Sequence, residues 1–262
     1  MPYYQSGSEY MGIDTFNQNF YKKSYVAQDY VKNYNFIWPE EKLIFEKYKD
    51  WIHGKKVLDI GIGGGRTAPA LSDLAKDYTG IDYSKEMVAV CKKKYSTLKF
   101  IHCDSSDMSM MDNEIFDFVI FSFNGIDSMS HEKRIKTLNE VCRILKRNGI
   151  FVFSSHNRDD RKIVTAYNQY DKRIIHNIQN ILSYLKVKRH QIITDNYAIL
   201  SDPLNGFRCL TYYIRKKNQV EQLENVGFTD IEILNRKLRF VTADSVDQES
   251  QFIHYIAKKS DP

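Results

Sequence analysis

The sequence predicts an α/β fold with a mostly parallel sheet and helices on both faces, and three observations support this. Short apolar runs without period alternate with amphipathic helical stretches, as in βαβ units. The first run, residues 57–60, leads into four glycines between Gly61 and Gly65. A second apolar run closes on an acidic residue, Asp82. A strand, a glycine-rich turn, a helix and a second strand that ends in a carboxylate are typical of nucleoside binding.

The spacing of the glycines separates two classes of cofactor. The dinucleotide fingerprint needs glycine at the first, third and sixth positions, and the sixth position counted from Gly61 is Arg66. This side chain would crowd the close helix–strand packing that the last glycine permits, so a nicotinamide dinucleotide is disfavoured. Aspartate at position 59, followed by glycine at positions 61, 63 and 65, instead resembles the first motif of class I S-adenosylmethionine-dependent methyltransferases.

The resemblance continues to about residue 155 in the order and spacing of that family. It implies a Rossmann-like fold with a seven-stranded, mostly parallel sheet. Ser84 is placed to cap the second helix, and Arg147-Asn148-Gly149 ends the last helix before the fifth strand. The predicted elements are a strand at 57–60, a helix at 67–76, a strand at 78–82, a helix at 83–94, strands at 98–104 and 116–121, a helix at 135–146 and a strand at 150–155.

The resemblance implies S-adenosyl-L-methionine as the cofactor and assigns contacts to it. Asp82 would accept hydrogen bonds from the ribose diol, and Asp104 from the exocyclic amine of adenine. Asp59 would accept N–H groups of the turn or orient the methionyl amine. Arg66 would contact the cofactor carboxylate or an anionic substrate, or be a solvated arginine of the first helical turn. The predicted cofactor-binding residues are Asp59, Gly61, Gly63, Gly65, Arg66, Asp82, Tyr83, Met87, Asp104, Ser105, Ser106 and Phe121.

Two residues at the same edge of the sheet are candidates for catalysis. His156 follows the fifth strand and is the candidate general base, although a lone histidine at a strand end also commonly serves only as a hydrogen-bonding residue. Asn124 follows the fourth strand and would orient the acceptor, or only satisfy the turn. A hydroxyl acceptor needs a base, whereas a phosphate, phosphoramidate or carboxylate is already an anionic nucleophile.

The flanking segments predict a single domain with two elaborations. The 262 residues divide into an N-terminal helical lid (1–52), a cofactor-binding core (53–157), a cap insertion between strands five and six (158–208) and a C-terminal completion of the sheet (209–262). The lid would contain a tyrosine-rich helix at 17–34 and a helix that begins at Pro39. Its Tyr21 and Tyr25 would bind substrate, or only pack. The completion would contain strands at 209–215, 231–234 and 252–257, one of them antiparallel, and a helix at 218–224.

The charge distribution favours a polar or anionic small-molecule acceptor. Residues 158–190 contain eight Lys or Arg and three Asp, which accounts for the whole net charge of +5. Such a run is often only a solvated helix face, but it would also attract an anionic metabolite. Arg158 and Arg161 are therefore predicted to bind substrate. The net charge is weak for nucleic-acid binding, so a nucleic-acid partner is not expected.

Composition limits the remaining possibilities. The four cysteines are widely spaced, which predicts reduced thiols, and no cluster of metal ligands is present. The absence of a long apolar run predicts no contact with a membrane and a cytoplasmic location.

We expect transfer of a methyl group to an oxygen of a glycan precursor, phosphate-derived group or similar metabolite, in capsule or surface polysaccharide biosynthesis. The alternatives are an N-methyltransferase of an amine, nucleobase or tRNA, and a non-catalytic S-adenosylmethionine-binding protein. The oligomeric state is not predicted.

Overall fold

The computed structural model describes residues 10–23, 25, 26, 32, 33, 36–161, 182, 184, 185, 187–201 and 207–261. Its helices are α1 (Tyr10–Tyr21), α2 (Pro39–Lys47), α3 (Lys49–Ile52), α4 (Ala68–Ser72), α5 (Lys85–Lys94), α6 (His131–Ile144) and α7 (Lys216–Val226), with a 3₁₀ helix at Gly125–Ser128. Its strands are β1 (Lys56–Ile60), β2 (Asp77–Asp82), β3 (Lys99–His102), β4 (Phe116–Phe121), β5 (Leu145–Asn157), β6 (Ile192–Ile193), β7 (Tyr197–Ser201), β8 (Leu210–Ile214), β9 (Phe228–Leu234), β10 (Phe240–Val241) and β11 (Phe252–Lys259).

A central sheet in the order β3-β2-β1-β4-β5-β11-β9 confirms the predicted fold class. Strands β1 to β5 run parallel to one another, and β11 is antiparallel to both β5 and β9. The short β10 adds a rung to β9 at the edge. Because the first five strands are parallel, their carboxyl ends meet at one edge of the sheet, where open sheets of this type bind ligands.

The sheet has eleven strands in the described residues, more than the seven predicted. Strand β5 continues beyond the end of β4, and its last residues, His156 and Asn157, pair with Tyr213 and Ile214 of β8. Strands β7 and β6 follow β8 by antiparallel pairing. We call β6, β7 and β8 the accessory ribbon. The strand predicted at 209–215 is β8, and it joins the sheet by parallel pairing with the end of β5 and not beside the central strands.

Helices cover both faces of the central sheet. On one face, Leu58, Val119 and Phe151 pack with residues of α6 and α7 in a buried apolar cluster. On the other face, Val57 and Ile120 pack with residues of α2 to α5. Neighbouring residues of β1 therefore contribute to opposite clusters, which explains why its sequence is apolar without a period of two.

The helix after the glycine turn is shorter than predicted. It spans only Ala68–Ser72, because the backbone beyond it bonds back to the chain before β1. Gly54 N–H donates to the carbonyl of Leu74 at 3.0 Å, and Lys76 N–H donates to the carbonyl of Lys55 at 2.9 Å. Helices α5 and α6 are capped by Ser84 and Ser130, whose hydroxyls accept from backbone N–H groups three residues later.

Helix α1 starts earlier than predicted and packs across the carboxyl edge of the sheet. Asn17 anchors it: its Nδ2 donates to the carbonyls of Ser128 and Leu210, and its Oδ1 accepts from Leu210 N–H at 2.8 Å. Most of the predicted helix beyond residue 23 and most of the cap insertion before residue 187 lie outside the described residues, as do residues 202–206. In the described part of the chain, no helix is long and apolar enough to cross a membrane.

Candidate active site

A cleft opens at the carboxyl ends of β1, β2 and β4. Its empty space is about 1130 Å³, a volume that includes space open to solvent. Its floor is the glycine turn, and α1 and the segment after β4 form two of its walls. The lining residues include Asp14, Gln18, Tyr21, Gly61, Gly63, Arg66, Asp82, Tyr83, Met87, Asp104, Ser105, Phe121, Phe123, Asn124 and Lys133.

The glycine turn needs glycine for two separate reasons. Gly61, Gly63 and Gly65 have φ angles of 64°, 51° and 73°, a region that disfavours residues with a Cβ. A Cβ at Gly61 would also lie 2.5 Å from Cε2 of Phe121, and one at Gly65 would lie 2.8 Å from Cε2 of Tyr95. The turn is therefore both left-handed and closely packed, and its backbone faces the cleft.

Asp82 lies at the end of β2 and faces the cleft. Its Oδ2 accepts from Gly63 N–H at 3.0 Å, and its Oδ1 accepts from Ser84 N–H at 2.8 Å. Burial raises the pKa of Asp82 to about 6, although the two backbone donors oppose this shift. Each carboxylate oxygen has further lone pairs, so the group can accept hydroxyl donors from the cleft while it fixes the turn.

Asp59 lies beneath the turn and does not line the cleft. Its Oδ2 accepts from Thr67 Oγ1 at 2.6 Å and from the Tyr78 hydroxyl at 2.9 Å. Its Oδ1 is buried and has no hydrogen-bond partner in the described residues. Burial raises the pKa of Asp59 to about 6, against the two hydroxyl donors. The contacts of Asp59 in the structure are thus side-chain hydroxyls, and the predicted turn N–H groups are not among them.

Arg66 is buried and forms an ion pair. Its Nη1 and Nη2 donate to the two carboxylate oxygens of Glu41 on α2, the second at 2.7 Å. Nη2 also donates to Ser122 Oγ at 3.1 Å, and the guanidinium lies over the ring of Phe123. The alternative of a solvated first-turn arginine is therefore excluded by its burial. The side chain joins the glycine turn to the N-terminal helices and the end of β4.

Asp104, which is predicted to accept from the exocyclic amine of adenine, lines the cleft at the end away from Arg66. Asp104 Oδ1 accepts from the N–H and hydroxyl of Ser106, and its Oδ2 pairs with Lys133 Nζ at 2.6 Å. Burial opposes ionisation of Asp104, but these donors outweigh it and lower its pKa. Ser105, Tyr83 and Met87 line the cleft beside it. Ser106 lines a separate surface groove.

His156 belongs to a buried polar network at the end of β5. Its backbone N–H and its Nδ1 both lie 2.7 Å from Oδ2 of Asp127. Oδ1 of Asp127 accepts from Arg134 Nη1 and Ser155 Oγ, each at 2.7 Å. Nε2 of His156 faces the Asn124 amide at 3.5 Å. The imidazole thus lies one residue away from the cleft, behind Asn124.

Asn124 occupies a strained turn between the cleft and His156. Both Phe123 and Asn124 have φ of 54°, which is uncommon for residues with a side chain. The Asn124 N–H donates to Ser154 Oγ at 2.8 Å, which holds this turn against β5. Its Oδ1 is buried without a partner in the described residues. The amide is therefore able to accept a hydrogen bond from a bound molecule.

Only one of the four predicted substrate-binding residues lines the cleft. Tyr21 does, whereas Tyr25 is about half exposed and does not. Arg158 Nη1 donates to the carbonyls of Thr194 and Asp195, which ties β5 to the accessory ribbon. Arg161 Nε donates to Gln248 Oε1 at 2.7 Å. The structure thus engages both arginines in bonds within the chain and away from the cleft.

Known proteins resemble this chain in sequence and in fold. A sequence profile described as a methyltransferase domain matches residues 57–149. An uncharacterized protein of Methanocaldococcus jannaschii is 28% identical over 98% of this chain and 94% of its own length. Demethylmenaquinone methyltransferase of Renibacterium salmoninarum is 25% identical over 70% of each chain. The structure of Burkholderia thailandensis 1,6-didemethyltoxoflavin-N1-methyltransferase, with S-adenosylhomocysteine bound, superimposes over 100% of this chain and 93% of that one with a TM-score of 0.61 at 12% identity. The matched segment is a methyltransferase domain, and the relatives and the shared fold support a class I S-adenosylmethionine-dependent methyltransferase.

The methyltransferase therefore uses S-adenosylmethionine as its cofactor, and the residues of the cleft fit such a group. The fit rests on the glycine floor, which a Cβ would fill, and on Asp82 at the end of β2. In the described residues, no group of three or more His, Cys, Asp or Glu side chains could hold a metal ion.

Several residues of the methyltransferase site were missed by sequence reasoning. Asp127 and Arg134 hold His156 from positions 29 and 22 residues earlier in the chain. Glu41 pairs with Arg66, and Asp14 binds the N–H and hydroxyl of Ser130. Asp127 follows the polar end of β4, which is a weak signal. Glu41 and Asp14 carry no local signal, because their partners are distant in sequence.

Proposed function

We propose that this methyltransferase transfers the methyl group to a hydroxyl oxygen of a small polar acceptor. The observation that supports this most directly is the His156–Asp127 pair beside the cleft. A hydroxyl must lose its proton during transfer, and an imidazole oriented by a carboxylate is suited to accept it. An acceptor that is already anionic would not need such a group.

The cofactor contacts proposed from the structure follow the order of the cleft. The turn from Gly61 to Gly65 would lie under the methionyl part, Asp82 would bind the ribose hydroxyls and Met87 with Asp104 would border the adenine. The bound cofactor supplies an electrophilic methyl group on a sulfonium. The protein positions the acceptor against this group and removes its proton.

The charges in the cleft favour a neutral acceptor over an anionic one. Among the described lining residues, Arg66 is paired with Glu41 and Lys133 with Asp104. Asp14 and Asp82 also line the cleft. Of the basic residues counted in the cap insertion, Arg158 and Arg161 bond elsewhere and do not line the cleft. A hydroxyl of a glycan precursor or a similar metabolite is therefore better supported than a phosphate-derived group.

N-methylation of a small heterocycle is the second candidate. The toxoflavin enzyme that shares this fold methylates a ring nitrogen of a small molecule, as its name states. An acidic ring N–H would also use His156 as a base. A tRNA substrate has less support, because the chain carries only +5 and its cleft is lined by acids as well as bases.

The test is methyl transfer from ¹³C-methyl-labelled S-adenosylmethionine to a panel of acceptors. The panel contains sugars, nucleotide sugars, uronic acids, sugar phosphates, primary amines, heterocycles and deacylated tRNA. We expect a labelled O-methyl product from a neutral hydroxyl compound, identified by its carbon shift. Labelled products only from amines, heterocycles or tRNA would contradict the proposal.

The role of His156 is tested with the acceptor found in this way. His156→Ala should slow turnover by about 100-fold or more while the affinity for S-adenosylhomocysteine stays unchanged. His53→Ala is the matched control, since His53 is exposed and lies at the end of α3, outside the cleft. Full activity of His156→Ala would remove His156 from the mechanism.

A further inference from the structure

Asp127 is a buried carboxylate with a complete set of hydrogen-bond donors. It is 2% exposed, and each of its oxygens accepts two hydrogen bonds. Oδ1 accepts hydrogen bonds from Arg134 and Ser155. Oδ2 accepts hydrogen bonds from the backbone N–H and the imidazole Nδ1 of His156. A carboxylate held in this way is fixed in position and remains an acceptor only.

This geometry determines which imidazole nitrogen carries the proton. Nδ1 lies 2.7 Å from an oxygen that can only accept, so Nδ1 must donate and carries the hydrogen. In neutral His156, Nε2 therefore carries the lone pair, and the Asn124 Nδ2 lies 3.5 Å from it. Nε2 faces the Asn124 amide, and Asn124 lines the cleft. The nitrogen able to accept a proton is thus the one directed toward the cleft side.

Arg134 balances the charge of Asp127 in the interior. Its side chain is fully buried, and it also donates to Ser155 Oγ and to Gln219 Oε1 and lies 4.4 Å from the ring centre of Tyr212. Residues from the 3₁₀ helix, α6, β5, α7 and β8 therefore meet at one ion pair. Because Arg134 already compensates the carboxylate, Asp127 acts on the orientation and tautomer of the imidazole more than on its charge.

We infer that Asp127 is a positioning residue, held by Arg134, that fixes His156 as the Nδ1–H tautomer with Nε2 available to accept a proton from the acceptor. The meaning of this arrangement for catalysis rests on the proposed function above. The tautomer itself does not depend on which acceptor the enzyme uses.

The experiment is ¹⁵N NMR of the full chain with ¹⁵N-labelled histidine, with His156 assigned by His156→Gln. The wild-type spectrum should show His156 as the Nδ1–H tautomer. In Asp127→Asn, only one side-chain oxygen is left for four donors, and an amide donor is introduced. We therefore expect the ratio of the Nδ1–H to the Nε2–H tautomer to fall by about tenfold or more, since the two differ by one hydrogen bond.

Ser155→Ala is the matched control, because Ser155 donates only to the oxygen that does not bind the imidazole. Its His156 tautomer should stay as in wild type. Affinity for S-adenosylhomocysteine, measured by calorimetry, should be unchanged in Asp127→Asn, and turnover of any acceptor should fall with no change in KM for the cofactor.

Two results would overturn the inference: an Nε2–H tautomer in the wild-type protein, or an unchanged tautomer in a folded Asp127→Asn. The wild-type measurement is decisive even if that variant does not fold. An Nδ1–H tautomer together with labelled products only from amines or tRNA would contradict the proposed O-methylation. It would still support the positioning role of Asp127.

Discussion

Asp82 binds the backbone with both of its oxygens at the edge of the cleft. Its carboxylate fixes Gly63 and Ser84 through their N–H groups and also faces the cleft. Burial places its pKa at about 6, close to neutral pH. Cofactor binding through this group should therefore depend on pH in a range where most surface carboxylates stay ionised.

We predict that affinity for S-adenosylhomocysteine falls as the pH drops below about 6. The pKa of Asp82 is raised in the folded protein, so the carboxylate that accepts from the ribose is lost as pH falls through that value. The dissociation constant should rise by up to about tenfold per pH unit below this point. Calorimetry between pH 5 and pH 8 measures it.

Two variants distinguish the contribution of Asp82 to this pH dependence from that of Asp59, whose pKa is also about 6. Asp82→Asn should bind more weakly and lose the pH dependence. Asp59→Asn should keep the dependence, because Asp59 does not line the cleft. A flat affinity profile in the wild-type protein would refute the assignment of Asp82 to the ribose.

Gly61 and Gly54 offer a test of why the turn contains glycine. Both have positive φ, but an added Cβ meets the Phe121 ring at Gly61 and nothing within 4 Å at Gly54. Gly54→Ala should lower the free energy of unfolding by about 1–2 kcal/mol from backbone strain alone. Gly61→Ala should cost about 1–3 kcal/mol more, since it adds overpacking. Urea unfolding measures both, and equal losses would exclude the steric contribution.

At the level of elements, α1 is attached to the site by Asn17 and by Asp14, which accepts from the N–H and hydroxyl of Ser130. Asn17 makes three hydrogen bonds to the 3₁₀ helix segment and β8, and Gln18 and Tyr21 on the same helix line the cleft. A bound cofactor would lie beneath this helix. We therefore expect weaker docking of α1 to speed its release.

Asn17→Ala should accelerate dissociation of S-adenosylhomocysteine. It leaves buried backbone groups of Leu210 and Ser128 unpaired and weakens docking of α1 by about 1–3 kcal/mol, so we expect a rate increase of about fivefold or more. Stopped-flow displacement measures the rate. Asn139→Ala, on the exposed part of α6, is the control and should dissociate at the wild-type rate. An unchanged rate in Asn17→Ala would show that α1 does not limit release.

The elements of the core were predictable from sequence, and those of the flanks were not. Strands β1, β2 and β4 are apolar runs buried on both faces, and Ser84 is a cap with a local partner, so each carries its own signal. The accessory ribbon depends on pairing between residues 156–157 and 213–214, which no local pattern encodes. Asp127 and Arg134 are only seven residues apart, but they join the 3₁₀ helix to α6, and the spacing does not show that the turn between these helices brings the side chains together. The glycine spacing and Asp82, by contrast, indicate the cofactor cleft from a local pattern.

At the scale of the whole molecule, ligand binding at the cleft should stabilise most of the fold. The cleft draws on β1, β2, β4, α1 and α6, which contribute to both faces of the sheet. A ligand that bridges these elements binds the native state and not the unfolded chain. Thermal unfolding therefore reports which nucleoside the cleft accepts.

We predict that S-adenosylhomocysteine raises the Tm and that NAD does not. At 100 times its dissociation constant a ligand adds about 2.7 kcal/mol, or roughly 5–10 °C for a domain of this size. The measurement is a thermal scan with each ligand at the same concentration. A comparable shift with NAD would contradict the argument that Arg66 at the sixth position excludes a dinucleotide.

At the end of β5, one residue takes part both in the pairing of the sheet with the accessory ribbon and in the polar network of the site. His156 pairs through its backbone with Tyr213 while its side chain is held by Asp127. A shift of β8 by one residue would exchange the side chains on its two faces and change the neighbours of the imidazole. Substitutions that alter the alignment of β8 with β5 are therefore expected to disturb the position of His156 even when they lie far from the glycine turn.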